Sequence, residues 1–200
     1  MNIKRRDRMT KPQRHTAYHE AGHAVVGRVL TLACGRASIK PNYREGSAGV
    51  SITKDPYACL HEWEKRGKVR ESPDAVLHAR IMTYMAGAEA ERELLGRCQE
   101  GDEDDRYQIN LMVEELHPGA DWVRRLEPRL RAMTRMLVRR HRVLIERTAK
   151  ALLKRKTISA KELDKIIGRS VNDVKVNAPL LLVMSQMNNG AKQKRGRPRI

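Results

Sequence analysis

The residues best suited to chemistry are two histidines and a glutamate in the pattern H-E-x-x-H, namely His19, Glu20 and His23. On an α-helix, residues i and i+4 lie on one face, so both imidazoles can face a single metal ion. Zinc suits two imidazole nitrogens and needs a third protein ligand and an open position for water. Glu20 can take a proton from that water, because zinc lowers the pKa of bound water from about 15.7 to about 7. The pattern therefore predicts a zinc hydrolase with Glu20 as general base.

The third zinc ligand does not follow from the helix itself. His15 extends the i, i+4 spacing, but it lies about 12 Å along the axis from His23, too far to share one ion. We expect His15 on the surface or in support of a ligand. The metzincin pattern H-E-x-x-H-x-x-G-x-x-H fails, because Val26 and Val29 replace its glycine and last histidine. The ligand must come from elsewhere, and the acids at 102–105 are the densest candidates.

Composition indicates one ordinary domain with tails and an aliphatic core, since aromatic residues make up 4% of the 200 residues and phenylalanine is absent. The formal net charge of +17 favours polyanionic partners such as nucleic acid or an anionic membrane surface. No stretch approaches 18 uninterrupted apolar residues, and the basic N-terminus lacks an apolar signal region. We therefore expect a cytoplasmic protein without a transmembrane segment. The three cysteines show no C-x-x-C spacing and predict neither a disulfide framework nor a thiolate metal site.

Helical periodicity predicts a mainly α fold, with a small β-hairpin or edge strand after the zinc-binding helix. The β-prone runs lie at 37–41 and 49–53. Gly96 should end the second helix, and Ser159 with Glu162 forms a capping box for the last one. The predicted helices cover about residues 10–32, 72–95, 102–116, 127–155 and 159–168.

The sequence divides into a basic N-terminal arm at 1–9, a folded domain at 10–176 and a basic flexible tail at 177–200. In the tail, Arg195, Gly196, Arg197 and Pro198 resemble the AT-hook, a short element that inserts arginine into the narrow minor groove of A·T-rich DNA. A basic solubilising tail accounts for the same residues without DNA binding. The tail thus makes DNA a candidate partner.

Four stretches, in the same order, resemble the protease domain of the FtsH-type ATP-dependent zinc metalloproteases. They match the zinc helix, the strands after it, a glycine-and-alanine helix in which the usual arginine is Ala88, and the closing helix and turn. The resemblance covers roughly residues 10–168 and implies a helical zinc-metallopeptidase domain. The matching stretches are 16–26, 39–41 with 49–50, 85–96, and 151–159.

The resemblance also points to a third ligand. In the family it is an aspartate in a Gly-x-x-Asn-Asp stretch, which falls on residues 101–105 and matches Asp105. Asp104 occupies the asparagine position, so a one-residue slip would make it the ligand instead. An acidic helix start explains several acids without any metal. The resemblance implies Zn²⁺ held by His19, His23 and Asp105.

Two features of the family are expected to be missing. The sequence contains no G-x-x-x-x-G-K-[ST] phosphate loop and no membrane anchor. We therefore expect hydrolysis of flexible polypeptides without an ATPase of its own, by a single copy, a homo-oligomer such as the family's rings, or a subunit beside a separate ATPase partner. The alternatives are a DNA-associated binding protein that keeps the scaffold without turnover, and a metallopeptidase of the kind that cleaves phage repressors.

Overall fold

The computed structural model contains six helices and three short strands among the residues that it describes. The described residues are 11–30, 32, 34–41, 48–53, 61, 65, 73–99, 102–116 and 126–167. The helices and strands are α1 (Lys11–Val29), β1 (Cys34–Ser38), β2 (Val50–Thr53), α2 (Pro73–Leu95), α3 (Glu103–Leu116), α4 (Glu127–Arg140), α5 (Arg142–Arg155), β3 (Thr157–Ser159) and α6 (Ala160–Ile167). The prediction of a mainly α fold with a small β element is confirmed.

Helix α1 lies at the centre and packs against α2, α5 and the sheet. Its inward positions are small, and Ala17, Ala21 and Ala24 are fully buried. At Gly22 the backbone of α2 comes so close that a Cβ would collide with the carbonyl group of Ala86. Because only glycine permits this approach, the two helices touch through their backbones. Their contact fixes the histidines of α1 relative to α2.

The strands form an antiparallel sheet in the order β2-β1-β3. Ala37 in the central strand pairs with Ser51 of β2 and with Ile158 of β3. The predicted hairpin is thus present, although β1 begins and ends earlier than the β-prone run at 37–41. Strand β2 lies beside α1 and pairs, among the described residues, with β1 alone.

Strand β3 was not predicted. Helix α5 ends at Arg155 and is capped by Lys156, which has a left-handed φ of 65° and donates its backbone N–H to the carbonyl oxygen of Leu152 at 2.7 Å. This cap turns the chain onto β1, where the hydroxyl groups of Ser38 and Thr157 lie 2.9 Å apart. The partner strand is more than a hundred residues away in the sequence, so local periodicity could not indicate the pairing.

The capping box that we predicted before the last helix is confirmed. The Ser159 backbone N–H donates to Oε2 of Glu162 at 2.8 Å, and the Glu162 N–H donates to Oγ of Ser159 at 3.4 Å. These two reciprocal bonds fix the start of α6.

The prediction of one continuous helix over 127–155 was wrong, because the chain bends at His141, whose φ is −103° and ψ is 18°. Two backbone hydrogen bonds meet at His141. His141 donates to the carbonyl oxygen of Leu137 at 2.9 Å, and Ile145 donates to that of His141 at 3.1 Å. His141 is therefore the cap shared by α4, which packs mainly on α2, and α5, which packs mainly on α1.

The core is aliphatic, as the composition predicted. Its largest fully buried side chains include Leu30, Ile81, Met82, Leu130 and Ile145. None of the described helices is both long enough and apolar enough to cross a membrane.

One charged group is fully buried inside the helical part. Glu89 of α2 accepts hydrogen bonds from Arg131 at 3.1 Å and from Arg135 at 3.0 Å, both on α4, and from Arg92 on its own helix at 2.8 Å. A buried carboxylate is tolerated when it is paired in this way. The network joins α2 to α4.

Candidate metal centre

Three of the predicted site residues converge on one point. Nε2 of His19 lies 3.0 Å from Oδ2 of Asp105, and Nε2 of His23 lies 3.2 Å from the same oxygen. The two imidazole rings are nearly perpendicular, with centroids 4.6 Å apart. A ligand atom from each of the three residues lies within 4.8 Å of the other two. The donor set is therefore two imidazole nitrogens and one carboxylate oxygen.

Two helices supply these donors, and α2 holds them together. His19 and His23 lie one turn apart on α1, while Asp105 belongs to the first turn of α3. Helix α3 packs on α2, and its Ile109 and Val113 are buried in the core. Consecutive helical residues point about 100° apart, so the chain can turn only one of the adjacent aspartates towards the histidines.

The structure turns Asp105 inward. Asp104 is exposed, whereas Asp105 is partly buried between the imidazoles. Of the two alternatives that the sequence left open, Asp105 is the residue that the structure brings to the histidines.

The other imidazole nitrogens are held by α2. Nδ1 of His23 donates to the carbonyl oxygen of Thr83 at 2.7 Å, and Nδ1 of His19 donates to Oε1 of Glu91 at 2.8 Å. Such bonds orient metal-binding histidines and leave Nε2 facing the metal. Both Nε2 atoms thus face the same space.

Glu91 is a buried acceptor shared by several groups. Its Oε2 accepts hydrogen bonds from Nδ1 of His15 at 2.7 Å and from the backbone N–H of Gln99 at 3.0 Å. Burial raises the pKa of Glu91, but the hydrogen bonds from His19, Gln99 and His15 outweigh it and lower the pKa. Glu91 is therefore ionised at neutral pH. His15 lies in the supporting position that was one of our two expectations for it.

Two glycines leave room at the site. A Cβ at Gly87 would lie 2.5 Å from Nε2 of His19 and 2.6 Å from Nε2 of His23. A Cβ at Gly49, just before β2, would lie 2.7 Å from Oε1 of Glu20. Any larger residue at either position would occupy space in front of the ligands or of the carboxylate.

Glu20 is the predicted base, and its carboxylate is buried, with 6% of the residue exposed. Its Oε2 atom has no hydrogen-bond partner among the described residues. Burial raises the pKa of Glu20 to about 7, although the charges of His23 and His19 act in the opposite direction. An unpaired buried carboxylate oxygen is costly to the fold, and of the five buried unpaired side-chain atoms among the described residues Oε2 of Glu20 is the one that belongs to the candidate site.

The metal-free cluster holds protons tightly. Burial lowers the pKa of His19, but hydrogen bonds with Asp105 and Glu91 outweigh this and raise the pKa to about 10. Burial would raise the pKa of Asp105, yet the charge of His23 and the hydrogen bonds from both histidines bring it well below its usual range. At pH 7 the His19 imidazolium therefore pairs with the Asp105 carboxylate.

These residues fit a divalent transition metal. Two imidazoles and a carboxylate leave coordination positions open for water or substrate, as catalytic zinc sites do, and the same donor set also binds other metals such as iron(II). The site also meets two further requirements. Hydrogen bonds to Glu91 and to the Thr83 carbonyl fix the histidine tautomers, and Gly87 leaves space beside both Nε2 atoms.

Sequence reasoning found the two histidines, Glu20 and Asp105, but it missed the roles of Glu91, Thr83, Gly87 and Gly49. Gly87 and Glu91 lie in a stretch that resembles the FtsH-type family, which was the available signal for them. Thr83 acts through its backbone carbonyl, so its residue type carries no signal. The AT-hook-like residues, Arg195, Gly196, Arg197 and Pro198, lie outside the described residues.

No model of a known protein family matches the chain, and a search of curated proteins found no significant match.

Proposed function

We propose that the protein is a zinc-dependent endopeptidase that acts in the cytoplasm on flexible polypeptides. The observation that carries this proposal is the buried, unpaired carboxylate oxygen of Glu20 beside the converging donors of His19, His23 and Asp105. A structural glutamate would have its oxygens paired, whereas a general base needs one free for the proton that it accepts.

His19, His23 and Asp105 are the residues that would hold zinc. When bound, zinc acts as a Lewis acid that lowers the pKa of water and polarises an acyl oxygen. Glu20 would accept the water proton at Oε2 while the water oxygen adds to the acyl carbon, and it would return that proton to the leaving amine as the C–N bond breaks. Glu91 and the Thr83 carbonyl keep the imidazoles aligned during these steps.

Strand β2 supports a polypeptide as the substrate. It runs next to α1, and Gly49 at its start lies against Glu20. Its outer edge has no strand partner among the described residues, so an extended segment can add to it through main-chain hydrogen bonds. Binding through the backbone selects extended, flexible chains rather than particular side chains.

The position of Asp105 favours the FtsH-type reading over the phage-repressor type, because an aspartate from the stretch 101–105 is the ligand that the FtsH-type resemblance implies. Assembly into a homo-oligomer and cooperation with a separate ATPase remain predictions from that resemblance.

The test uses purified full-length protein, a metal analysis and cleavage of casein. We expect about one zinc per chain and cleavage that a chelator stops. Glu20→Gln should stay folded and keep its zinc while cleavage falls by about 10²–10⁴-fold. Glu114→Gln is the matched control, because Glu114 is exposed on α3.

Two results would overturn the proposal. One is a protein that takes up no zinc even when it is supplied, which would favour the non-catalytic, DNA-associated alternative. The other is undiminished cleavage by Glu20→Gln, which would remove the carboxylate from the reaction.

A further inference from the structure

Helices α4 and α5 carry a group of solvent-exposed cations. These are Arg129, Arg140, Arg147, Lys150 and Lys154, which we call the basic stripe, and all of them are exposed. Within α4, Arg129 and Arg140 lie about 20° apart around the helix axis at about 100° per residue, and within α5 Arg147, Lys150 and Lys154 lie within an arc of roughly 60°. The exposed residues beside them are Ala132, Met136 and Val143, so no acid interrupts either group.

Other arginines of the same helices are different because each has a carboxylate partner. Arg135 and Arg139 pair with Glu93, and Arg142 pairs with Glu146. Among the described residues, none of the basic stripe makes an ion pair. The helices thus separate arginines that hold the fold together from cations whose charge faces solvent.

We propose that the basic stripe binds the phosphate backbone of duplex DNA. At 1.5 Å per residue, Arg129 and Arg140 lie about 16 Å apart along α4, and Arg147 and Lys154 lie about 10 Å apart along α5. Unpaired surface arginines and lysines are the groups that neutralise phosphates and release counterions. The formal net charge of +17 acts in the same direction over a longer range.

The stripe favours nucleic acid over a membrane surface. A helix that lies in the membrane interface needs a wide apolar face with large side chains. In α4 and α5 the large apolar side chains that are exposed are Met136 and Val143, with exposures of 60% and 57%, and both are flanked by cations. Charge without apolar area suits a phosphate backbone. The contact is independent of base sequence, and its residues are neither in the tail nor among the candidate metal ligands.

The experiment compares two double variants of the full-length chain that lose the same formal charge. Arg140→Gln with Arg147→Gln removes two cations of the stripe, while Arg139→Gln with Arg142→Gln removes two paired cations from the same helices. Binding to a fluorescent 30-base-pair duplex is measured by anisotropy over a series of salt concentrations. Vesicles of phosphatidylglycerol and phosphatidylcholine serve as the competing anionic surface, and circular dichroism checks that both variants are folded.

We expect the stripe variant to bind the duplex about tenfold more weakly at 0.1 M salt and to lower the salt slope by about 1.8, from two lost phosphate contacts. The paired-cation variant should change affinity by less than about threefold. The tail is intact in both variants, so its contribution cancels. Equal weakening by both variants would leave only diffuse charge and overturn the proposal. Loss of vesicle binding with unchanged duplex binding would overturn it in favour of a membrane.

Discussion

Glu91 accepts a hydrogen bond from Nδ1 of His19 at 2.8 Å, although 72 residues separate the two in the sequence. The bond directs Nε2 of the same imidazole towards Asp105. In the proposed zinc site, the orientation of His19 therefore depends on a residue outside the three candidate ligands.

We expect Glu91→Gln to weaken zinc affinity by about tenfold and Glu91→Ala by up to about a hundredfold, because glutamine keeps an acceptor while alanine keeps none. Competition with a chelating dye measures both. Glu93→Gln, two residues further along α2 and paired with the exposed Arg139, is the control and should bind zinc normally. Normal affinity in Glu91→Ala would show that the bond has no part in metal binding.

Substitutions of Asp104 and Asp105 should show which of the two is the third metal ligand. Asp105→Asn should lower zinc affinity strongly and abolish cleavage, because a neutral amide replaces the carboxylate ligand. Asp104→Asn should behave like the unaltered protein, since Asp104 is exposed. Isothermal titration with zinc and the casein assay measure both effects. The opposite order of damage would mean that the ligand is Asp104.

Gly87 and Gly96 should respond oppositely to alanine. Gly87→Ala places a Cβ within 2.5 Å of Nε2 of His19, so we expect at least about a tenfold loss of zinc affinity. Its effect on thermal unfolding should be small, because alanine favours a helix interior by about 0.5–1 kcal/mol and offsets part of the strain.

Gly96→Ala meets no atom within 4 Å, but its φ of +82° disfavours a side chain. It should cost about 1 kcal/mol of stability and leave zinc affinity unchanged. If Gly87→Ala bound zinc normally, the space beside the histidines would have no role in metal binding.

Metal binding should release protons. In the metal-free protein the pKa of His19 is raised to about 10, so at pH 7.5 its imidazole is protonated while Asp105 is ionised. A metal must displace that proton, and the pKa of His23 is raised as well. The apparent zinc affinity should therefore increase as the pH rises from about 6.5 towards 10. Titration calorimetry in buffers of different ionisation enthalpy should count at least about one proton released at pH 7.5, and zero release would contradict the protonated state.

Glu89 should matter for stability rather than for metal. Removing its charge leaves Arg131 and Arg135 without their buried partner, so Glu89→Gln should lower the free energy of unfolding by about 3 kcal/mol. Glu93→Gln, whose partner Arg139 is 66% exposed, should cost less than about 1 kcal/mol. Urea denaturation measures the difference. Equal effects would mean that burial of Glu89 is unimportant.

The parts of the structure that could be predicted from the sequence are those governed by neighbours along the chain. The i, i+4 spacing of His19 and His23, the stop at Gly96 and the capping box of Ser159 with Glu162 are all local. Asp105 required a comparison between distant stretches, which the family resemblance supplied.

The missed features depend on long-range contacts. Strand β3 is three residues long and exists because β1 lies beside it. The role of Gly87 becomes visible only when α2 packs against α1, since the glycine itself carries no chemistry. The bend at His141 occurs without a nearby proline or glycine, so the sequence contains no residue that predicts it.

The close contact at Gly22 also means that the residues of the candidate metal centre come from two differently anchored parts of the fold. His19, His23 and their supports Glu91 and Thr83 all belong to α1 and α2, which are locked together through their backbones. Asp105 comes from α3, which packs mainly on α2. The first two ligands are thus preorganised with the core, and the third arrives with a separately docked helix. Binding of a metal should therefore slow amide hydrogen exchange in α3 and change it little in α1 and α2.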